Sequence, residues 1–206
     1  MLGIRQLPKL ALEAFVIRRY RGIEGWFTWK EALSLYELAK ALPSNSTVVE
    51  IGSWKGRSTY CLAQGLKDGS VHAIDPFDGS GEEGSAETYE REAGEGDLYA
   101  GFCQRMKVLG INGKVKPHRG FSNQFVDAFE KIDLLFIDGD HSMEGCTFDF
   151  EHYAPKIPSG GYIAFHDYSS IRKDLGPTHV VEKLLLPSGQ YEFVGLFGSL
   201  WAGRKI

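Results

Sequence analysis

Four short apolar runs, each ending in acidic, glycine or histidine residues, set the pattern of this chain. Val48-Val49-Glu50-Ile51 runs into Gly52-Ser53-Trp54-Lys55-Gly56, and Val71-His72-Ala73-Ile74 runs into Asp75. Leu134-Leu135-Phe136-Ile137 leads to Asp138-Gly139-Asp140-His141, and Tyr162-Ile163-Ala164-Phe165 to His166-Asp167. A strand covered on both faces reads as a continuous apolar run of this kind rather than as an alternation. In open α/β sheets ligands bind off the carboxyl ends of the strands, so the chemistry is expected where the four runs stop.

Helical periodicity fills the intervals. In 28–42, Ala32, Leu33, Leu35, Tyr36, Leu38, Ala39 and Leu42 form one stripe, Thr28 and Glu31 have the spacing of a capping box, and Pro43 ends the pattern. Further helices are expected at 58–66, with Gly69 as its stop, and at 99–109, 122–129, 143–153 and 178–186. Strands are expected at 47–51, 71–74, 115–117, 134–137 and 162–165. The runs 191–196 and 200–204, around Phe197-Gly198-Ser199, predict a closing hairpin. Strand and helix alternating, then a hairpin, means a parallel α/β sheet with a late antiparallel strand. Residues 78–97, crowded with Asp, Glu and Gly, interrupt this rhythm. They read as a partly helical excursion above the sheet, either a lid or a solvated acidic loop.

Composition narrows the class. A chain of 206 residues, 43% hydrophobic and 24% charged, fits one globular domain. A net charge of -4 argues against a general nucleic-acid binder. Cys61, Cys103 and Cys146 form no CxxC pair, which points away from a zinc knuckle or disulfide framework and toward reduced thiols in the cytoplasm. No apolar run approaches the roughly 20 residues of an integral membrane segment. The first 21 residues carry Arg5, Lys9, Arg18, Arg19 and Arg21 and do not read as a signal peptide. They read as a helix packed on the domain or mediating homo-oligomer formation, with a basic helix against a membrane or partner as the alternative.

The glycine turn admits a polar ligand. Gly52 and Gly56 permit close backbone approach, and the helix start beyond them offers free N–H groups. The spacing lacks one glycine of the G-x-G-x-x-G pyrophosphate cradle, and Trp54 and Lys55 fill the gap. A smaller group such as an amino-acid carboxylate suits that turn, assisted by Lys55 or Arg57 unless these are only surface cations. Asp75, on the order of 20 residues past the turn, is placed to accept hydrogen bonds from ribose hydroxyls. Ser122 either reaches an adenine edge or caps the helix after it. Asp138, Asp140 and His141 stand on a strand next to that of His166 and Asp167. Such a group holds Mg2+ or another divalent cation, or forms a metal-free polar network. A bound cation lowers the pKa of a substrate hydroxyl, and Asp140 or His141 then accepts its proton. His72, His118, His152 and His179 lack such clustering and receive no role.

The run Val48-Val49-Glu50-Ile51-Gly52-Ser53-Trp54-Lys55-Gly56-Arg57-Ser58-Thr59 resembles the glycine turn of class I S-adenosylmethionine-dependent methyltransferases. Ile137-Asp138-Gly139-Asp140-His141-Ser142 and 158–168 resemble the branch with macrocin O-methyltransferase, cephalosporin hydroxylase-like and catechol O-methyltransferase-like enzymes. The resemblance covers roughly residues 24–204. It implies a Rossmann-like, doubly wound, seven-stranded, mostly parallel sheet with an antiparallel last strand, and methyl transfer to a small-molecule hydroxyl on a sugar, phenol or natural product. It further implies that Glu50, Gly52 and Ser53 line the methionine part of S-adenosylmethionine, that Asp75 holds the ribose, and that Asp138 lies near the sulfonium or a metal. The metal ligands of such relatives fall here on Asp138, His166 and Asp167, with His166 where many have an acidic residue. Residues 1–45 become a helical segment covering the cofactor site, with Trp26 and Glu31 in it, and 46–206 the methyltransferase domain. A nicotinamide dehydrogenase is disfavoured by the missing glycine and the terminal hairpin. A silent binding module is disfavoured by the clustered acids and histidines.

Overall fold

The first apolar run lies in the interior of a sheet. The computed structural model describes residues 7–80 and 86–206; Arg5 of the N-terminal stretch and Glu82 and Glu83 of the acidic segment lie outside the described residues. Within them one sheet is built from β1 (Ser46–Ile51), β2 (Gly69–Asp75), β3 (Val115–Arg119), β4 (Leu134–Ile137), β5 (Tyr162–Phe165), β6 (Tyr191–Phe197) and β7 (Leu200–Lys205). The spatial order is β3-β2-β1-β4-β5-β7-β6. Pairings from β3 across to β5 are parallel, and β7 runs antiparallel to both β5 and β6. The expected architecture is therefore the observed one.

Successive residues of a strand face opposite sides, and here they feed two separate cores. Val48, Leu134 and Phe136 pack with α2 (Trp29–Lys40), α3 (Arg57–Gly65) and α5 (Leu98–Leu109). Val49, Ile51, Leu135 and Ile137 pack with α6 (Met143–Tyr153) and the helical turns after α7 (Gly176–His179). At the N-terminus, α1 (Leu7–Val16) is followed by a 3-10 turn over Arg18–Gly22. Ile17, Tyr20, Ile23 and Phe27 join the first core, Tyr60 Oη donates to the Val16 carbonyl, and Glu13 pairs with Lys40 at 2.6 Å. This stretch packs on the domain.

Local differences have local causes. Gly69 does not stop α3, which ends at an extended Leu66. It opens β2 instead, with φ +101° and no room for a Cβ against the Ser46 carbonyl. The expected helix at 122–129 resolves into two 3-10 turns, Ser122–Gln124 and Val126–Ala128. The helix expected at 178–186 begins at Gly176, where Pro177 suits the first turn, and loosens into a π-helical turn over Val180–Leu185. Part of the acidic excursion is helical, α4 (Ala86–Ala93).

Candidate active site

Strand order reverses between β1 and β4, and the cleft outside their carboxyl ends is a cavity of about 760 Å³. Gly52 makes the junction. It adopts φ +86°, and a Cβ there would lie 2.0 Å from the Asp138 carbonyl oxygen. The turn after β1 and the loop after β4 can touch only because the side chain is missing. Gly56, also at φ +86°, starts α3 against Met106 and Phe102.

Asp75 closes the turn from below. Its Oδ2 accepts from the Ser53 and Trp54 N–H groups at 3.0 and 2.7 Å, and its Oδ1 accepts from Phe77 N–H at 2.7 Å. Burial drives its pKa above the ordinary value despite these bonds. Asp75 lines the cavity together with Gly52, Ser53, Trp54 and Ser122. The Ser122 carbonyl accepts from Tyr153 Oη at 2.6 Å, so this loop is fastened to α6.

Two residues expected at the cofactor, Glu50 and Lys55, do not line the cavity. Glu50 is fully buried beneath α3, bonded by the Thr59 hydroxyl, and does not line the cavity. Strand alternation points it into the helix-covered core, and burial pushes its carboxyl up to about 7. Lys55 turns away from the cavity, bonding the Glu24 carboxylate and, at 2.6 Å, the Glu92 carbonyl. Its charge fastens the acidic excursion and is not directed at a ligand. Arg57 reaches the cavity edge but donates to the Gly25 carbonyl and lies over the Tyr20 ring.

The loops after β4 and β5 meet as expected. His166 Nδ1 hydrogen bonds to Asp138 Oδ1 at 2.9 Å and lies 3.5 Å from Asp167 Oδ2, while Nε2 is 3.8 Å from Glu31 Oε2. Burial alone would lower the His166 pKa. The Asp138 charge and the carboxylates of Asp138, Asp167 and Glu31 outweigh it and push the imidazole up to about 12. Glu31 is correspondingly held well below the usual carboxylate range. Burial there is outweighed by His166 and by bonds from Ser199 and Thr28. Phe27 stacks on the His166 ring at 4.6 Å.

In this structure His166 Nδ1 is taken up by Asp138 Oδ1. The ligand atoms that do lie within 4.8 Å of one another belong to Asp138, His141 and Asp167. His141 Nε2 is 3.7 Å from Asp138 Oδ1 and 3.4 Å from Asp167 Oδ2. Asp140 borders the cavity, but its Oδ1 accepts from Ser142 N–H at 2.8 Å at the entrance to α6.

Two features escape a linear reading. Trp26, Trp54 and Tyr89 meet edge to face or tilted, with centroids 5.2 to 5.9 Å apart, where the N-terminal stretch, the glycine turn and α4 converge on the cavity. Asp149 also lines the cavity. It is 2% exposed, and its Oδ1 has no hydrogen-bond partner among the described residues. Burial pushes its carboxyl up to about 7, against an offsetting interaction with Ser122. The available signal was an acid on the same helix face as the apolar Cys146 and Tyr153.

A sheet of this order with its site at the reversal has the fold of class I methyltransferases. A methyltransferase domain model matches residues 49–168, and the chain belongs to that family. A relative from Acanthamoeba polyphaga mimivirus, described as uncharacterised, is 29% identical over 148 residues, 70% of this chain and 62% of that protein. The chain thus spans under two thirds of that relative's length. Among solved structures, the O-methyltransferase NovP is similar at TM-score 0.70 and 14% identity, covering 97% of this chain and 99% of that one. The O-methyltransferase TomG from Streptomyces achromogenes, in complex with S-adenosylmethionine (SAM), is similar at TM-score 0.62 and 16% identity, covering 96% and 89%. An O-methyltransferase from Bacillus cereus, in complex with SAH (the demethylated donor, S-adenosylhomocysteine), matches at 0.62 and 16%, covering 96% and 91%. At such identities the likeness concerns the fold.

Proposed function

We propose that the protein is a SAM-dependent O-methyltransferase acting on a hydroxyl of a small molecule. The observation that carries this reading is that Gly52, Asp75, Asp138, His141 and Asp167, from four separate loops, line one cavity. Its volume lies within the range of about 300–1,000 Å³ common for small-molecule sites. Family membership and the named activities of the similar structures support the same reading.

The residues fit the donor. Asp75 presents a carboxylate at the end of β2 for the ribose hydroxyls, and Ser53 and Trp54 border the methionine end. When bound, SAM supplies a methyl group already activated on a sulfonium, so alignment is the main task of the protein. Asp138 places negative charge beside that cation. His141 takes the proton of the acceptor hydroxyl, and Asp167 and Asp138 stabilise the resulting imidazolium. Asp138, His141 and Asp167 equally fit a divalent cation, which would lower the pKa of the hydroxyl. These two uses of His141 exclude each other. Trp26 and Phe27 bring the segment before β1 over the donor site, and α4 with Tyr89 closes the mouth.

Among the described residues no helix is long and apolar enough to cross a membrane. Three free thiols, Cys61, Cys103 and Cys146, accord with a cytoplasmic setting. Calorimetric titration with SAH tests the donor site: micromolar-range binding is expected, with none for NAD, and the reverse would favour a dehydrogenase. Dialysis against EDTA then separates the two roles of His141. If a cation is used, turnover falls and Mg2+ or Mn2+ restores it. An unchanged rate leaves His141 as the base.

A further inference from the structure

The N-terminal helix uses only one of its faces within the fold. On the inner face Glu13 pairs with Lys40, and just beyond the helix Ile17 and Tyr20 enter the first core. On the outer face Leu12 is 64% and Phe15 59% exposed, three positions apart and so on one side of α1. Arg18, Arg19 and Arg21 follow directly and are all exposed. The Arg18 guanidinium lies 3.8 Å from the centre of the Phe15 ring and donates to the Phe15 carbonyl at 3.0 Å, which joins cation and apolar tip in one patch. Glu13, the one acid in residues 12–22, is buried, so the patch is purely cationic in a chain of net charge -4. It does not line the cavity, and the methyl-transfer chemistry has no use for it.

Charge and apolarity together select the partner. In a two-fold contact through this face, a second copy would set the three arginines against their own counterparts. The acidic α4 of another copy suits the arginines, but its exposed residues, Glu87, Glu90, Arg91 and Glu92, give Leu12 and Phe15 nothing apolar to enter. A nucleic acid leaves the same two side chains in water, and the chain's net charge opposes it. An anionic lipid surface answers both demands: guanidinium groups bind head-group phosphates and carboxylates, and apolar tips enter the acyl boundary. We propose that this face docks the protein on anionic phospholipid membranes. Two apolar tips and three cations make a reversible, salt-sensitive contact and not an anchor. The inference is independent of the reading of the cavity.

The test is flotation of the full chain with phosphatidylcholine vesicles, plain or containing about 30% phosphatidylserine. Recovery with the anionic vesicles only is expected, and its loss at high salt. Replacing two surface charges, Arg18→Ala with Arg19→Ala, should weaken that binding about 30-fold. Phe15→Ser should weaken it about 10-fold. Lys183→Ala, at an exposed cation beside the second core, should leave it unchanged. Melting midpoints equal to wild type show that the variants are folded, and the salt series needs no variant at all. Equal recovery with both kinds of vesicle, or recovery with neither, overturns the proposal. So does wild-type binding in the double arginine variant. A wild-type dimer in light scattering that Phe15→Ser dissociates also overturns it, and makes the face a contact between copies.

Discussion

Asp138 has neighbours on two sides that bear differently on its mutation. Toward the cavity it faces His141 and Asp167, and toward the core it bonds the His166 imidazolium, which Glu31 flanks from the far side. Replacing a charged partner of a buried ion pair strands the other partner. Asp138→Asn should therefore lower turnover by about 100-fold or more, as expected for one preorganised electrostatic contact. It should also lower stability, by about 3 kcal/mol if the pair behaves as a buried one. Steady-state kinetics and urea denaturation of the same preparation check both, and the His166 ring should titrate lower by NMR. Full turnover in the variant would remove Asp138 from the chemistry. A stability equal to wild type would mean that His166 is held by Glu31 and Asp167 alone.

At the scale of elements, the start of α2 connects the N-terminal segment to the site. Thr28 Oγ1 and N–H both donate to Glu31 Oε2, at 2.8 and 2.7 Å, and the Glu31 backbone N–H returns to Oγ1 at 3.5 Å. Glu31 Oε1 accepts from the Ser199 N–H and hydroxyl, at 2.9 and 3.0 Å, so the cap also holds the β6–β7 turn. Ser199 Oγ in turn reaches Asp167 Oδ1 at 3.4 Å. Thr28→Ala should cost about 1 kcal/mol, the usual worth of an N-cap, measured by chemical denaturation. A cost near zero would show that Glu31 is fixed by Ser199 and His166 without the cap. The capping box itself was legible, because Thr and Glu at that spacing before an apolar stripe have a local meaning. Its link to Ser199 was not, because those residues are far apart in sequence and meet only when β7 inserts between β5 and β6. For the same reason the strands of the sheet were readable as runs, whereas the short turns after β3 and the π-helical turn after α7 depend on what packs against them.

Across the whole molecule, buried ionisable groups give opposing responses to pH. His72 and His118 are hydrogen bonded at 2.8 Å beneath Phe129. Burial, with the neighbouring His118 second, lowers His72 from 6.5 to about 4, and His118 is lowered by burial as well. Between those values the unfolded chain binds more protons, so this stabilisation is complete above about pH 6.5 and is lost as pH falls toward 4. Glu50 and Asp149, raised to about 7, act in the opposite sense and lose stability as pH rises through that value. The His72 contribution is best isolated by difference. The stability gap between wild type and His72→Gln should shrink as pH is lowered from 6.5 to 4, followed by denaturation midpoints. A gap constant with pH would mean that His72 titrates normally in the folded chain.

The amino-acid sequence by itself determined the order of strands and helices, the turn at Gly52 and the acidic and histidine ends of the strands. Each follows from periodicity, residue size or backbone freedom acting over a few positions. Only the tertiary structure decided which of those charged groups face the cavity. It turned Glu50 into the core and Lys55 toward Glu24 and Glu92, gave His166 to Glu31 and Asp138, and placed His141 beside Asp138 and Asp167. A side chain's charge state and orientation depend on its burial and on partners brought from distant segments, and a linear pattern holds neither.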